Sequence, residues 1–264
     1  MAEKKKTKPI SNIAAVVLVV AAFAVMAVFL VYMFSSGGSG SEESDMSIEQ
    51  SFADETSLAP EQSIAEIKET MADADVGDAV LYGSYEQNGN SADGKENIEW
   101  IVLEKQQGKL LLVSRYVIEA MPYNTERSES EWAQSSLYGW LNGEFINNSF
   151  TAEESGFIIA DENGSKVSML SAENAKKYYE YDSWRACAPT EYAKEKGLKL
   201  DNGYCCYWLT DKGEIDNSAS YIYFNGTLRT HGFAVDYTQA GVRPLIWVNS
   251  QAETETEDIS EISE

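Results

Sequence analysis

Three cysteines, one histidine, a set of loop carboxylates and a dense group of tyrosines and tryptophans are the side chains here that could do chemistry. Cys205 and Cys206 are adjacent. Neighbours on a strand point to opposite faces, so only one of them can suit a given partner thiol. A lone His231 cannot build a histidine-rich zinc site, and no cysteine spacing resembles one. Serine–histidine–acid catalysis would have to use His231, and no Gly-x-Ser-x-Gly elbow accompanies it. His231 therefore reads as a turn residue. Asp201, Asn202, Asp211, Glu214, Asp216, Asn217 and Asp236 supply oxygen donors in the loops of the last strands, so a structural calcium is possible. No regular EF-hand loop is present. Glu153 and Glu154 open a helix, where acids favour the dipole, and need no catalytic role.

Aromatic residues give the stronger binding signal. Tyr221 and Tyr223 alternate with Ile222 and Phe224, and Phe233 and Tyr237 lie across the Asn225-Gly226 turn. One face of that hairpin can display tyrosine rings beside Asn225, Arg229 and Asp236. Such faces bind sugars or proteins, because the rings offer area at low entropic cost. The same rings could instead fill the core. Alternation separates the two readings: Tyr221 and Tyr223 are at least partly exposed if they bind, with Ile222 and Phe224 turned inward.

The elements that position these residues follow from pattern. Strands are predicted over 76–85, 98–104 and 109–116, with a polar turn region at 87–94. Apolar spacing predicts a helix over 132–141. Thr151 with Glu154 forms a capping-box start, and Ser171 caps a helix to about Tyr179. A helix over 189–196 carries an early Pro and a final Gly197. Short strands follow at 166–170, 204–209, 219–224, 232–237 and 242–248, with Asn225-Gly226 as a hairpin turn. A short helix through Ile64, Ile67 and Met71 precedes all of these. The class is α+β, with antiparallel strands at both ends and short helices mid-chain.

Organisation is set by hydropathy and charge. Residues 13–34 carry no charge, no Pro and no Gly. At about 1.5 Å per residue such a run is long enough to cross a bilayer. Lys4, Lys5, Lys6 and Lys8 precede it, and no base follows until Lys68. A cytoplasmic N-terminus and an uncleaved signal-anchor are predicted, with the rest of the chain outside. A secretory signal peptide would have a shorter apolar region and a small-residue cleavage site. The domains are then 1–12 cytoplasmic, 13–34 transmembrane, 35–75 an acidic flexible stalk with a short helix, 76–250 one extracellular domain, and 251–264 an acidic tail. The net charge of −23 is concentrated in the stalk and tail. No basic stripe exists to neutralise phosphates, which excludes nucleic acid as a partner.

Gly77-Asp78, Tyr82-Gly83-Ser84-Tyr85-Glu86-Gln87, Ile98-Glu99-Trp100, Leu112-Val113-Ser114, Pro122-Tyr123-Asn124, Trp140-Leu141-Asn142, Leu170-Ser171, Trp208-Leu209 and Gly241-Val242-Arg243-Pro244 form an ordered set. The set resembles an uncharacterised family of extracellular bacterial domains, and more distantly the C-type-lectin-like fold of formylglycine-generating enzymes. Gly241-Val242-Arg243 looks like the segment that closes that fold. Thr210-Asp211-Lys212-Gly213 departs from the relatives, which commonly hold Arg-Ser-Pro-Gly there. The resemblance implies a disulfide between Cys187 and Cys205 and carries no activity with it. The glycan-reading Glu-Pro-Asn or Gln-Pro-Asp signature of calcium-dependent lectins is absent. The expected function is a membrane-anchored cell-surface binding module for a glycan, a wall component or a surface protein. The alternatives are a formylglycine-generating-like oxidase and a structural or assembly subunit of a membrane complex.

Overall fold

A computed structural model describes residues 67–129 and 131–252. The apolar run 13–34, most of the acidic stalk and the tail from residue 253 lie outside the described residues. Among the described residues no helix is long and apolar enough to cross a membrane. The described part is a mixed α+β structure rich in antiparallel strands.

The strands in chain order are β1 (Ala79–Tyr85), β2 (Glu96–Gln106), β3 (Lys109–Ser114), β4 (Glu119–Ala120), β5 (Ile158–Ile159), β6 (Val167–Met169), β7 (Leu200–Asp201), β8 (Tyr204–Cys205), β9 (Tyr207–Lys212), β10 (Ser218–Ile222), β11 (Leu228–Ala234), β12 (Gly241–Val242) and β13 (Pro244–Asn249). One sheet runs β1-β2-β3-β13-β5, with β6 pairing the same edge of β13 as β5. A second runs β11-β10-β9-β12-β4, and β7 pairs β8. All of these pairings are antiparallel except β12 with β9.

The first sheet is buried on both faces, as its near-continuous apolar strands require. Val80, Tyr82, Trp100, Val102, Leu110, Leu112, Ile246 and Val248 face one core. Ala79, Ile101, Leu103, Leu111, Val113 and Leu245 face the other. The fully buried Trp100 satisfies its indole N–H on Tyr82 O at 2.8 Å. The second sheet contributes Trp208, Tyr221 and Val242 to the first core and Tyr207, Leu209 and Ile222 to the second.

The helices are short. Ser135 caps α1 (Ser136–Trp140) by accepting from Tyr138 N, and the chain continues through a π turn, Leu141–Phe145, into α2 (Ile146–Ser149). Helical structure thus runs past the predicted end at 141, because Leu141, Phe145 and Ile146 keep one apolar face on the core. The predicted capping box starts α3 (Ala152–Phe157): Thr151 accepts from Glu154 N and Glu154 returns to Thr151 N. Ser171 caps α4 (Ala172–Tyr178), and Thr190 caps α5 (Glu191–Glu195).

Three expectations change. Residues 67–74 are not helical: Ile67 bridges Ala79, and Met71 and Ala74 are fully buried, so the packed domain begins before Val76. At the other end Ala252 is buried as well. The predicted strand at 232–237 begins earlier, at Leu228, and ends at Ala234. The hairpin therefore closes through five residues, 223–227, rather than through Asn225-Gly226 alone.

Candidate ligand-binding site

The hairpin tip is held from both sides. Tyr223 N donates to Thr227 O at 2.9 Å, Gly226 N to Tyr223 O at 2.8 Å, and Thr227 N to the Asn225 side chain at 3.1 Å. Gly226 has φ +83°, and a Cβ there would lie 1.7 Å from Asp182 O. Only glycine fits this approach. The neighbouring segment Asp182–Arg185 grips the tip in turn: the buried Arg185 donates from Nε to Gly226 O at 3.0 Å and from Nη1 to Tyr179 O at 3.1 Å.

On this frame the aromatic residues form a continuous row. Tyr221 stacks on Phe233 with ring centres 3.6 Å apart, and Phe233 meets Tyr237 at 4.6 Å. Tyr223 lies 6.5 Å from Tyr221, and the Arg229 guanidinium sits 5.2 Å over the Tyr223 ring. His231 approaches the other edge of Tyr221 at 5.9 Å. Behind the row, Phe233 touches Trp208, whose indole N–H donates to Met121 O at 2.9 Å.

Exposure divides the predicted residues. Tyr223, Arg229 and Asp236 are half-buried and Asn225 is exposed. Tyr221 is buried, with 3 % of its surface accessible. The expectation that both tyrosines are exposed is corrected for Tyr221, because β11 is the edge strand and lays Phe233 flat over it. Burial pushes the Tyr221 phenol up to about 12. Phe224 also joins the same core as Tyr221 instead of the opposite face, since the chain leaves β10 after Ile222. The accessible row is therefore Tyr223, Phe233 and Tyr237, flanked by Arg229 and His231. A lone arginine over a ring can pair with an anion while the rings receive a flat apolar face.

The thiols sit elsewhere. Cys187 and Cys205 face each other in an isolated antiparallel bridge, with Cys205 N donating to Cys187 O at 3.1 Å. Bridged residues of this kind place their Cα atoms about 5.5 Å apart, within disulfide range. The Cys187 thiol lies 3.3 Å from Arg115 O. Cys206 faces the other core. Burial pushes the Cys205 thiol well up, helped by the nearby Cys187 and Cys206, and pushes the Cys206 thiol up to about 12.

The loop acids do not converge. Among the described residues no group of three or more His, Cys, Asp or Glu is placed to hold a metal ion. Asp211 instead accepts from Ala172 N at 2.6 Å, at the start of α4. Arg243 is buried, 1 % exposed; its Nε donates to Ser114 O at 2.9 Å and its guanidinium lies 5.5 Å from the Tyr207 ring. Its place is between the sheets, not on a surface.

One arrangement was not read from the sequence. The Glu119 carboxylate is 8 % exposed and accepts from Tyr85 OH at 2.8 Å. Tyr85 also meets Trp140, Phe145 and Tyr192 edge-on. Burial and the Glu119 charge drive the Tyr85 phenol strongly upward, so it stays a donor to Glu119 at every physiological pH.

Residues 107–168 match the model of a domain of unknown function (DUF6273). That stretch runs from the β2–β3 turn into β6 and includes α1, α2 and α3; the aromatic hairpin lies beyond it. The match agrees with the resemblance to an uncharacterised domain. No curated protein and no solved structure matches the chain.

Proposed function

We propose that this chain is a membrane-anchored binding module of the cell surface, and that its ligand contacts the β10–β11 hairpin. The observation that carries this is the row of half-buried rings, Tyr223, Phe233 and Tyr237, with Arg229 over one end. Half-exposed rings on a hairpin clamped at its tip present fixed area at low entropic cost. A glycan or another surface molecule with a flat apolar face suits such a row. The location rests on the uncharged run 13–34 and the lysines before it. The kinship with C-type-lectin-like domains belongs to the same proposal and rests on the ordered set of residues that ends at Gly241-Val242-Arg243-Pro244.

The position of the cysteines counts against the oxidase alternative. Thiol chemistry on a substrate needs accessible thiolate, and all three thiols are buried. Two experiments test the proposal. Protease added to intact cells is expected to remove the domain, and full protection overturns the topology. A glycan array probed with the detergent-solubilised full chain is expected to give hits that Tyr223→Ala removes; hits that survive this substitution place the site elsewhere.

A further inference from the structure

A second feature lies on the opposite core face, away from the hairpin. β5 and β6 pair consecutive stretches of β13: Ile159 opposes Trp247, and Val167 opposes Ile246. The register therefore advances by a single position on β13 while residues 160–166 leave the sheet altogether. This excursion is fastened at both ends. Asp161 Oδ1 accepts from Asn163 N at 2.9 Å and Ser165 N at 2.8 Å, and Asp161 N donates to Ser165 O at 2.7 Å. Asn142, in the π turn, accepts from Lys166 N at 2.9 Å, Val167 N at 3.0 Å and Ser165 Oγ at 3.1 Å.

Looping out so many residues leaves a partly open cavity of about 270 Å³ against the sheet. Its floor is Leu111 and Leu245, and Ile159, 39 % exposed, forms one side. Strand alternation explains the set: Leu111, Lys109, Leu245, Trp247, Ile159 and Ser168 share one face of the sheet. Lys109 and Lys166 are among the residues that line the cavity. Lys109 Nζ is held 4.6 Å over the Trp247 ring, and Lys166 Nζ donates to Ser155 O and Oγ. Asp161 also lines it, and its Oδ1 accepts from two backbone N–H groups of its own loop.

We infer that this cavity binds a small ring-bearing carboxylate, its charge met by Lys109 and its CH-rich body on Leu111, Leu245 and Ile159. The volume falls just below the usual range for ligand sites, which limits the occupant to a single ring. An apolar floor with a few placed charges is the usual make-up of a small-molecule site. A flexible ammonium steadied on an indole face is already oriented towards an incoming anion, so less freedom is lost on binding. The ring can come from an acidic sugar or from an apolar carboxylic acid. The site shares no residue with the hairpin row, so each stands or falls separately.

The test titrates the full chain in neutral detergent with D-glucuronate and, separately, cyclohexanecarboxylate, with glucose and cyclohexanol as neutral counterparts. The Trp247 indole N–H resonance, assigned by Trp247→Phe, is the readout. At least one carboxylate is expected to shift it saturably while its neutral counterpart does not. Lys109→Gln should weaken binding at least tenfold without lowering the melting temperature. Ser168→Leu, which fills the cavity from β6, should abolish binding, whereas Tyr223→Ala should leave it unchanged. Preference for glucuronate or cyclohexanecarboxylate identifies which source of ring is read. Absence of saturable shifts with both acids, equal shifts with the neutral counterparts, or full affinity in both Lys109→Gln and Ser168→Leu would overturn the inference.

Discussion

At the scale of single residues, Tyr221 and Tyr223 show how two side chains of one type on one strand divide their work. Tyr221 lies under Phe233, and removing its ring leaves a void in the first core. Tyr221→Ala is therefore expected to destabilise by about 3 kcal/mol or more. Tyr223→Ala should cost much less and act on binding instead. Chemical denaturation of both variants checks this; equal losses would show that both rings serve the core. A second residue-level case is Glu104, which accepts from Lys177 Nζ at 2.7 Å and from Tyr178 OH. The Lys177 and Tyr178 hydrogen bonds hold its carboxyl down at about 2, below the ordinary 4.5. A depressed folded value means the contribution is present above the unfolded pKa and fades as pH falls from about 4.5 through about 2. Carbon-detected titration should find the Glu104 midpoint near 2, and Lys177→Ala should return it towards the ordinary range. An ordinary midpoint in the parent chain would refute the pairing. The hairpin tyrosines were legible in the sequence as residue types at alternating positions. Their unequal burial was not, because it depends on which neighbour forms the edge strand.

At the scale of elements, capping chemistry was the most readable signal. Thr151 and Ser171 each accept from the N–H three residues on, as their side-chain oxygens and local spacing predict, and Thr190 does the same at a helix that starts later than the predicted Pro189. The 160–166 excursion was hidden, since it is fastened to Asn142, a residue more than twenty positions earlier in the chain. Asn142→Ala removes the acceptor for Lys166 N, Val167 N and Ser165 Oγ together. A loss of about 2 to 4 kcal/mol is expected, since two part-buried backbone donors lose their partner. Hydrogen exchange should accelerate at 165–167 first, and unchanged protection there would contradict the assigned role. The cysteine bridge is also a matter of elements. It joins the chain after the Asp182–Arg185 turn to β8, and both thiols are buried. Folding under oxidising conditions is expected to yield a Cys187–Cys205 disulfide worth about 2 to 4 kcal/mol. Peptide mass mapping checks the pairing, and a Cys187–Cys206 or Cys205–Cys206 linkage would contradict it.

At the scale of the whole molecule, the chain joins a charge-free run and an acidic approach to a domain whose first sheet is buried on both faces. The class and the antiparallel ends were visible because apolar strands and Gly/Asn turns are local features. The order β11-β10-β9-β12-β4, with its one parallel pairing, was not, because that pairing joins residues far apart in sequence. Nor was the start of the domain, since Met71 and Ala74 join the first core, most of whose members lie far along the chain. What the two sheets accomplish together is to hold a clamped hairpin with half-buried rings at one edge and a lysine-lined cavity at another. The half-buried rings are proposed as the binding face. The most direct measurement is calorimetric titration of the full chain and its Tyr223→Ala variant with the strongest ligand from a glycan array. Saturable binding by the parent chain is expected, with at least tenfold weaker binding by the variant and melting temperatures within about 3 °C of each other, as for a surface change of under about 1 kcal/mol. Equal affinities, or a variant that loses binding only because it has unfolded, would contradict it.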